Sequence, residues 1–113
     1  MSLLVAYMDD LLFLSRIRES VRPMEVKAVR RVPDLLALSP SILVLDIDSP
    51  RLDSLEALRA IREDPGLSHV PVLAFYSHVH PERKRDAEAA GCTAVFPRST
   101  FLVELQRALP RNA

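Results

Sequence analysis

Residues 41–62 read SILVLDIDSPRLDSLEALRAIR. Ile42–Asp46 is an unbroken apolar run that ends on a carboxylate. Apolar residues on both sides of the pleat mark a strand covered on both faces. Asp48, Ser49 and Pro50 break the run. Asp53 then stands at a helix N-cap position, with Glu56 completing a capping box. Leu55, Leu58 and Ile61 recur at helical spacing, and Pro65-Gly66 closes the helix. Strand, short loop and helix in that order form the unit of a parallel sheet.

The unit recurs along the chain. Leu3–Tyr7 is apolar throughout, and Leu11, Leu14, Ile17 and Val21 follow at helical spacing until Pro23. Met24–Val29 alternates, with Glu25 and Lys27 on one side, the pattern of an edge strand with one wet face. Pro33–Leu38 reads as a short helix with proline in its first turn. Val70–Tyr76 is the fourth strand; Pro81–Ala90 is a charged helix stopped by Gly91. Ala94–Phe96 is the fifth strand, and Ser99 or Thr100 caps a last helix carrying Leu102, Leu105 and Leu109. Strict alternation with short links predicts an α/β doubly wound five-stranded parallel sheet, order 2-1-3-4-5, with five helices. Residues 1–113 are expected to form one domain with no output domain.

Composition narrows the function. Lys+Arg and Asp+Glu are both 15, so the chain has no net positive charge to favour direct nucleic-acid binding. The apolar share of 49% is enough for a core, yet no run is long enough to cross a bilayer. The N-terminus lacks the basic start of a signal peptide. Cys92 is alone, which rules out an intramolecular disulfide and fits a reduced, cytoplasmic setting.

In an open parallel sheet, sites form beyond the carboxyl ends of the strands at the switch point. In this strand order the switch point lies between the first and third strands. Asp9 and Asp10 follow the first strand and Asp46 ends the third. Three carboxylates converging there repel one another and call for a cation. Hard oxygen donors beside room for water suit Mg²⁺, and a metal beside a carboxylate makes that carboxylate a candidate phosphoryl acceptor. Each aspartate alone has a plainer reading, as a helix cap or a polar strand end.

With these residues in view, the chain resembles a receiver domain of two-component response regulators over essentially its whole length. DIDSPRLDSLEALRAIR fits the receiver pattern without a gap. The resemblance implies a flavodoxin-like fold and a phospho-acceptor at Asp46. It implies Mg²⁺ held by Asp9, Asp10, Asp46 and the backbone carbonyl of Asp48. Ser77 and Arg98 are then the groups that hold phosphoryl oxygens. A histidine kinase or phosphotransfer protein is the implied donor. A downstream protein is the implied target, and a homodimer through the fourth helix, fifth strand and fifth helix is a further expectation. No enzyme activity is implied beyond self-phosphorylation and autodephosphorylation. The chain also departs from the pattern. Arg98 replaces the usual lysine with a larger planar fork, which is not a conservative change. Gapless counting puts Tyr76 rather than Ser77 at the usual Thr/Ser position, and Ser54 replaces a glycine. These departures carry an alternative: a degenerate receiver that docks partners without phosphorylation, with Arg98 paired to Asp46. A flavin or nucleotide binder is disfavoured, because Met8–Leu11 has no Gly, Ser or Thr to cradle phosphate.

The remaining residues have bland readings. His78 and His80 lack a third ligand nearby in sequence, and a loop gate suits them better than a metal site. His69 reads as solvated, Cys92 as packed, Tyr76 and Phe96 as core, and Arg83-Lys84-Arg85 as a wet helix face.

Overall fold

The computed structural model describes residues 2–77 and 81–109. Five strands alternate with five helices: β1 Leu3–Tyr7, α1 Leu11–Ser20, β2 Glu25–Val29, α2 Val32–Leu36, β3 Ile42–Asp46, α3 Ser54–Glu63, β4 Val72–Tyr76, α4 Pro81–Ala89, β5 Ala94–Pro97 and α5 Arg98–Ala108. All pairings are parallel, and the sheet order is β2-β1-β3-β4-β5. The predicted fold class and strand order are those observed.

The alternation of side chains along each strand divides the core in two. One face buries Val5, Leu43, Leu45, Val72 and Ala74 against Leu35 of α2 and Leu58 and Ile61 of α3. The other buries Leu4, Ala6, Val44 and Phe75 against Ile17 of α1 and Phe101 and Leu105 of α5. Each of the valine, leucine, isoleucine and phenylalanine side chains contributes about 1.5–3 kcal/mol of transfer free energy. Glu25 and Lys27 are exposed on β2, the sheet edge, as their alternation required.

Two helix starts have different causes. Asp53 caps α3 as predicted, its Oδ1 accepting the Glu56 N–H at 3.0 Å. At α5 the expected Ser99 or Thr100 cap is replaced by Pro97, and no side chain caps the helix. Proline's φ is already near the value required there, so the chain turns directly from β5 into α5 and puts Arg98 at the first helical position. α4 buries only Ala87, the least anchored of the longer helices. His78 and His80 lie outside the described residues. Among those described, no helix is long and apolar enough to cross a membrane.

Candidate functional site

Register brings the strand ends level: Tyr7 opposes Leu45, and Asp46 opposes Phe75. The loops after β1, β3, β4 and β5 therefore meet at one end of the sheet.

Asp46 lies deepest, with 4% of its surface exposed. Its Oδ1 accepts the Asp48 N–H at 3.0 Å. Its backbone carbonyl accepts the Ser54 hydroxyl, which ties the start of α3 to the end of β3. Burial raises its pKa, and the Asp48 and Asp10 charges push the same way. The Asp48 N–H and the Arg98 guanidinium oppose the rise.

Asp10 is the N-cap of α1. One carboxylate oxygen accepts the Phe13 N–H at 3.0 Å, and the other meets Arg98 Nη1 at 2.9 Å. Its pKa is lowered, first by the Phe13 N–H; burial opposes this, and Arg98 adds to the lowering. Asp9 accepts the Ser49 hydroxyl at 3.2 Å and pairs with Arg51 at 3.2 Å. Asp48 accepts the Ser77 N–H and lies 3.9 Å from Arg83.

Arg98 is the centre of this network. Nε donates to the Ser77 hydroxyl at 2.8 Å while Nη1 holds Asp10. Its guanidinium carbon lies 4.5 Å from the Phe13 ring centroid and 4.9 Å from that of Phe75. The plane is thus fixed by two aromatic rings as well as by its hydrogen bonds. Those rings form a buried cluster with Phe101, at centroid separations of 4.7, 5.1 and 6.2 Å.

The predicted site residues therefore gather at one end of the sheet, but their pairing is new. Arg98 takes Asp10, not Asp46. Ser77, rather than Tyr76, reaches the arginine; Tyr76 is half-buried against the core. The donors for a divalent cation are hard oxygens, the right chemistry for Mg²⁺. Asp10 is held by Arg98 and Asp9 by Arg51, and among the described residues no three carboxylate, imidazole or thiol groups stand together to hold a metal.

Sequence reading missed Ser49 and Arg51 as partners of Asp9, and Phe13 and Phe75 as the bed of Arg98. Loop residues paired across about 40 positions leave no periodic signal. Phe75 lies inside an apolar strand run, and no motif marks Phe13 as a neighbour of an arginine. Cys92 is buried, with its thiol pushed up to about 11 by burial, in keeping with a packed and unreactive side chain.

No family model matches the sequence, and no curated protein matches it. Solved structures do. The receiver domain of a sensor histidine kinase from Pseudomonas aeruginosa superposes with a TM-score of 0.82 at 22% identity, covering 97% of this chain and 95% of that one. The chain has the receiver fold. A chemotaxis response regulator of Vibrio cholerae superposes on this receiver-like chain at 0.79 and 23% identity, covering 96% and 99%. The response regulator Rcp1 superposes at 0.79 and 14% identity, covering 95% and 91%. The Pseudomonas structure carries magnesium in its active-site cleft, and the Rcp1 structure is a Mn²⁺-bound form.

Proposed function

We propose that this receiver-like chain is a signalling module that docks a protein partner while Arg98 holds its acidic site in one state. The Asp10–Arg98 pair at 2.9 Å, set on Phe13 and Phe75, carries this reading. In it, the arginine supplies the positive charge that a cluster of aspartates requires. The guanidinium also reaches Ser77, so one side chain links the loops after β1 and β4 to the start of α5. Arg98 directly follows β5 and opens α5. Its position therefore sets the α4–β5–α5 face, which serves as the partner surface, either for another protein or for a second copy of this chain.

The second reading is a phosphoryl-accepting receiver. Its support is the buried Asp46 at the end of β3, close enough to Asp10 and Arg98 to feel both charges. Asp9, Asp10, Asp46 and the Asp48 carbonyl would hold Mg²⁺, and Ser77 and Arg98 would face the phosphoryl oxygens. That metal would neutralise the incoming group. This chain's residues would first have to release the Asp10–Arg98 and Asp9–Arg51 pairs.

A Mg²⁺ titration followed by amide NMR separates the two. The held state predicts no saturable shifts at Asp9, Asp10 or Asp46 up to millimolar metal. Saturable shifts at all three, abolished by Asp10→Asn, would replace it with the phosphoryl-accepting receiver.

A further inference from the structure

Beside Arg98 lies an open groove of about 510 Å³ between α1 and α5. Its size falls within the usual range for small-ligand sites. Arg16 and Arg98 line it together with Ser77 and Ser99. Pro97 and Leu102 supply its apolar wall, with Phe13 buried beneath Arg98. Among the described residues, none of the three site aspartates lines it, and neither does any other acid.

The arginines are available to a ligand. Arg16 is exposed and forms no ion pair among the described residues. Arg98 uses Nε for Ser77 and Nη1 for Asp10; among the described residues, Nη2 has no hydrogen-bond partner. Phe13 and Phe75 hold its plane fixed, so little ordering cost remains for binding. Guanidinium forks match phosphate and carboxylate oxygens, and hydroxyls complete the shell. An apolar wall beside such a head site selects an anion attached to a flat hydrophobic group.

From this juxtaposition we infer that the α1–α5 groove is a binding site for a small organic anion, a phosphate or carboxylate carried on an aromatic ring. The anion meets Arg16 and Arg98, and the ring lies along Pro97 and Leu102. A ligand there competes with Asp10 for the same guanidinium. The site needs neither a metal nor a phosphorylated Asp46, so it stands or falls separately from the function proposed above.

The test is an amide NMR titration with phenyl phosphate, run beside inorganic phosphate and phenol on wild type, Arg16→Gln and Leu102→Ala. Arg16 is exposed, so Arg16→Gln leaves the core intact, and its own spectrum reports folding. Binding predicts saturable shifts at Phe13, Arg16, Ser99 and Leu102. It predicts affinity about tenfold weaker in Arg16→Gln, about 1.4 kcal/mol. Inorganic phosphate and phenol each bind at least about tenfold more weakly than phenyl phosphate, and Leu102→Ala weakens phenyl phosphate but not inorganic phosphate. Absence of saturable shifts at millimolar ligand overturns the inference. So does equal affinity in Arg16→Gln, or a shift pattern centred on Asp9 and Asp46.

Discussion

Arg98 and Asp10, 88 positions apart in the chain, meet at 2.9 Å at the carboxyl end of the sheet. Arg98 begins α5, and Asp10 caps α1. The pair thus joins the two helices that cover one face of the sheet, at the end where the acidic residues gather. Both side chains are about one-third exposed, so solvent weakens the charge attraction itself. The two aromatic contacts and the Ser77 bond keep the arginine in place.

Arg98→Met removes one ion pair, one side-chain hydrogen bond and two ring contacts. A loss of about 1 kcal/mol is expected, since partly exposed ion pairs and cation–ring contacts contribute fractions of a kcal/mol each. Urea denaturation measures it. In the double mutant with Asp10→Asn the losses should be less than additive, because both changes break the same pair.

Asp46 and Asp10 act oppositely on stability as pH changes. The folded-state pKa of Asp46 is raised, first by burial. Its charged form therefore costs stability at neutral pH, and that cost is relieved as pH falls from above the folded value toward the unfolded one. Asp10 is lowered, so its contribution is complete above the unfolded value and is lost as pH falls through the folded one. Asp46→Asn should stabilise the protein at pH ~7, with a gain that shrinks through the ordinary carboxylate range near ~4. Asp10→Asn should destabilise at pH ~7 and do less harm in that range. Denaturation curves at several pH values check both signs.

Arg62 ties three segments together. From α3 it donates to the backbone carbonyls of Gly91, Ser68 and Val70 at 2.9, 3.0 and 2.8 Å. Arg62→Met should cost about 2 kcal/mol, with carbonyls left short of a donor, and Arg62→Lys should recover little, since one ammonium cannot span the three. Gly91 has φ +105°, and a Cβ there would come within 3.0 Å of the Arg62 Cγ. Gly91→Ala should therefore cost more than about 1 kcal/mol from backbone conformation alone. Chemical denaturation tests all three variants.

Phe75 and Phe101 are fully buried under the arginine and pack at 5.1 Å between centroids. Phe101→Ala should cost about 3–5 kcal/mol by leaving a cavity. Phe75→Leu should cost less in stability yet release Arg98. A changed Arg98 side-chain NMR signal in a folded Phe75→Leu protein is the expected sign.

The fold was legible because its signals are local. Ile42–Asp46 and Leu3–Tyr7 are apolar on both faces and could only be central strands, while alternating Glu25 and Lys27 marked an edge. Asp53 and Glu56 announced α3 through a cap that spans three residues. The acidic site was legible in its members and not in its pairings. Topology alone placed Asp9, Asp10 and Asp46 together. Whether Arg98 would reach Asp46 or Asp10 depended on where α5 begins, and Pro97 rather than Ser99 or Thr100 decides that. Arg51 and Ser49 met Asp9 through a loop whose path no periodicity encodes.

The most direct test of an arginine-held site is intact-mass spectrometry after incubation with Mg²⁺ and acetyl phosphate, with wild type and Asp46→Asn side by side and folding verified by circular dichroism. The account predicts that the wild-type mass does not change. A gain of one phosphoryl group in wild type, absent from Asp46→Asn, would contradict it and make Asp46 a working phospho-acceptor.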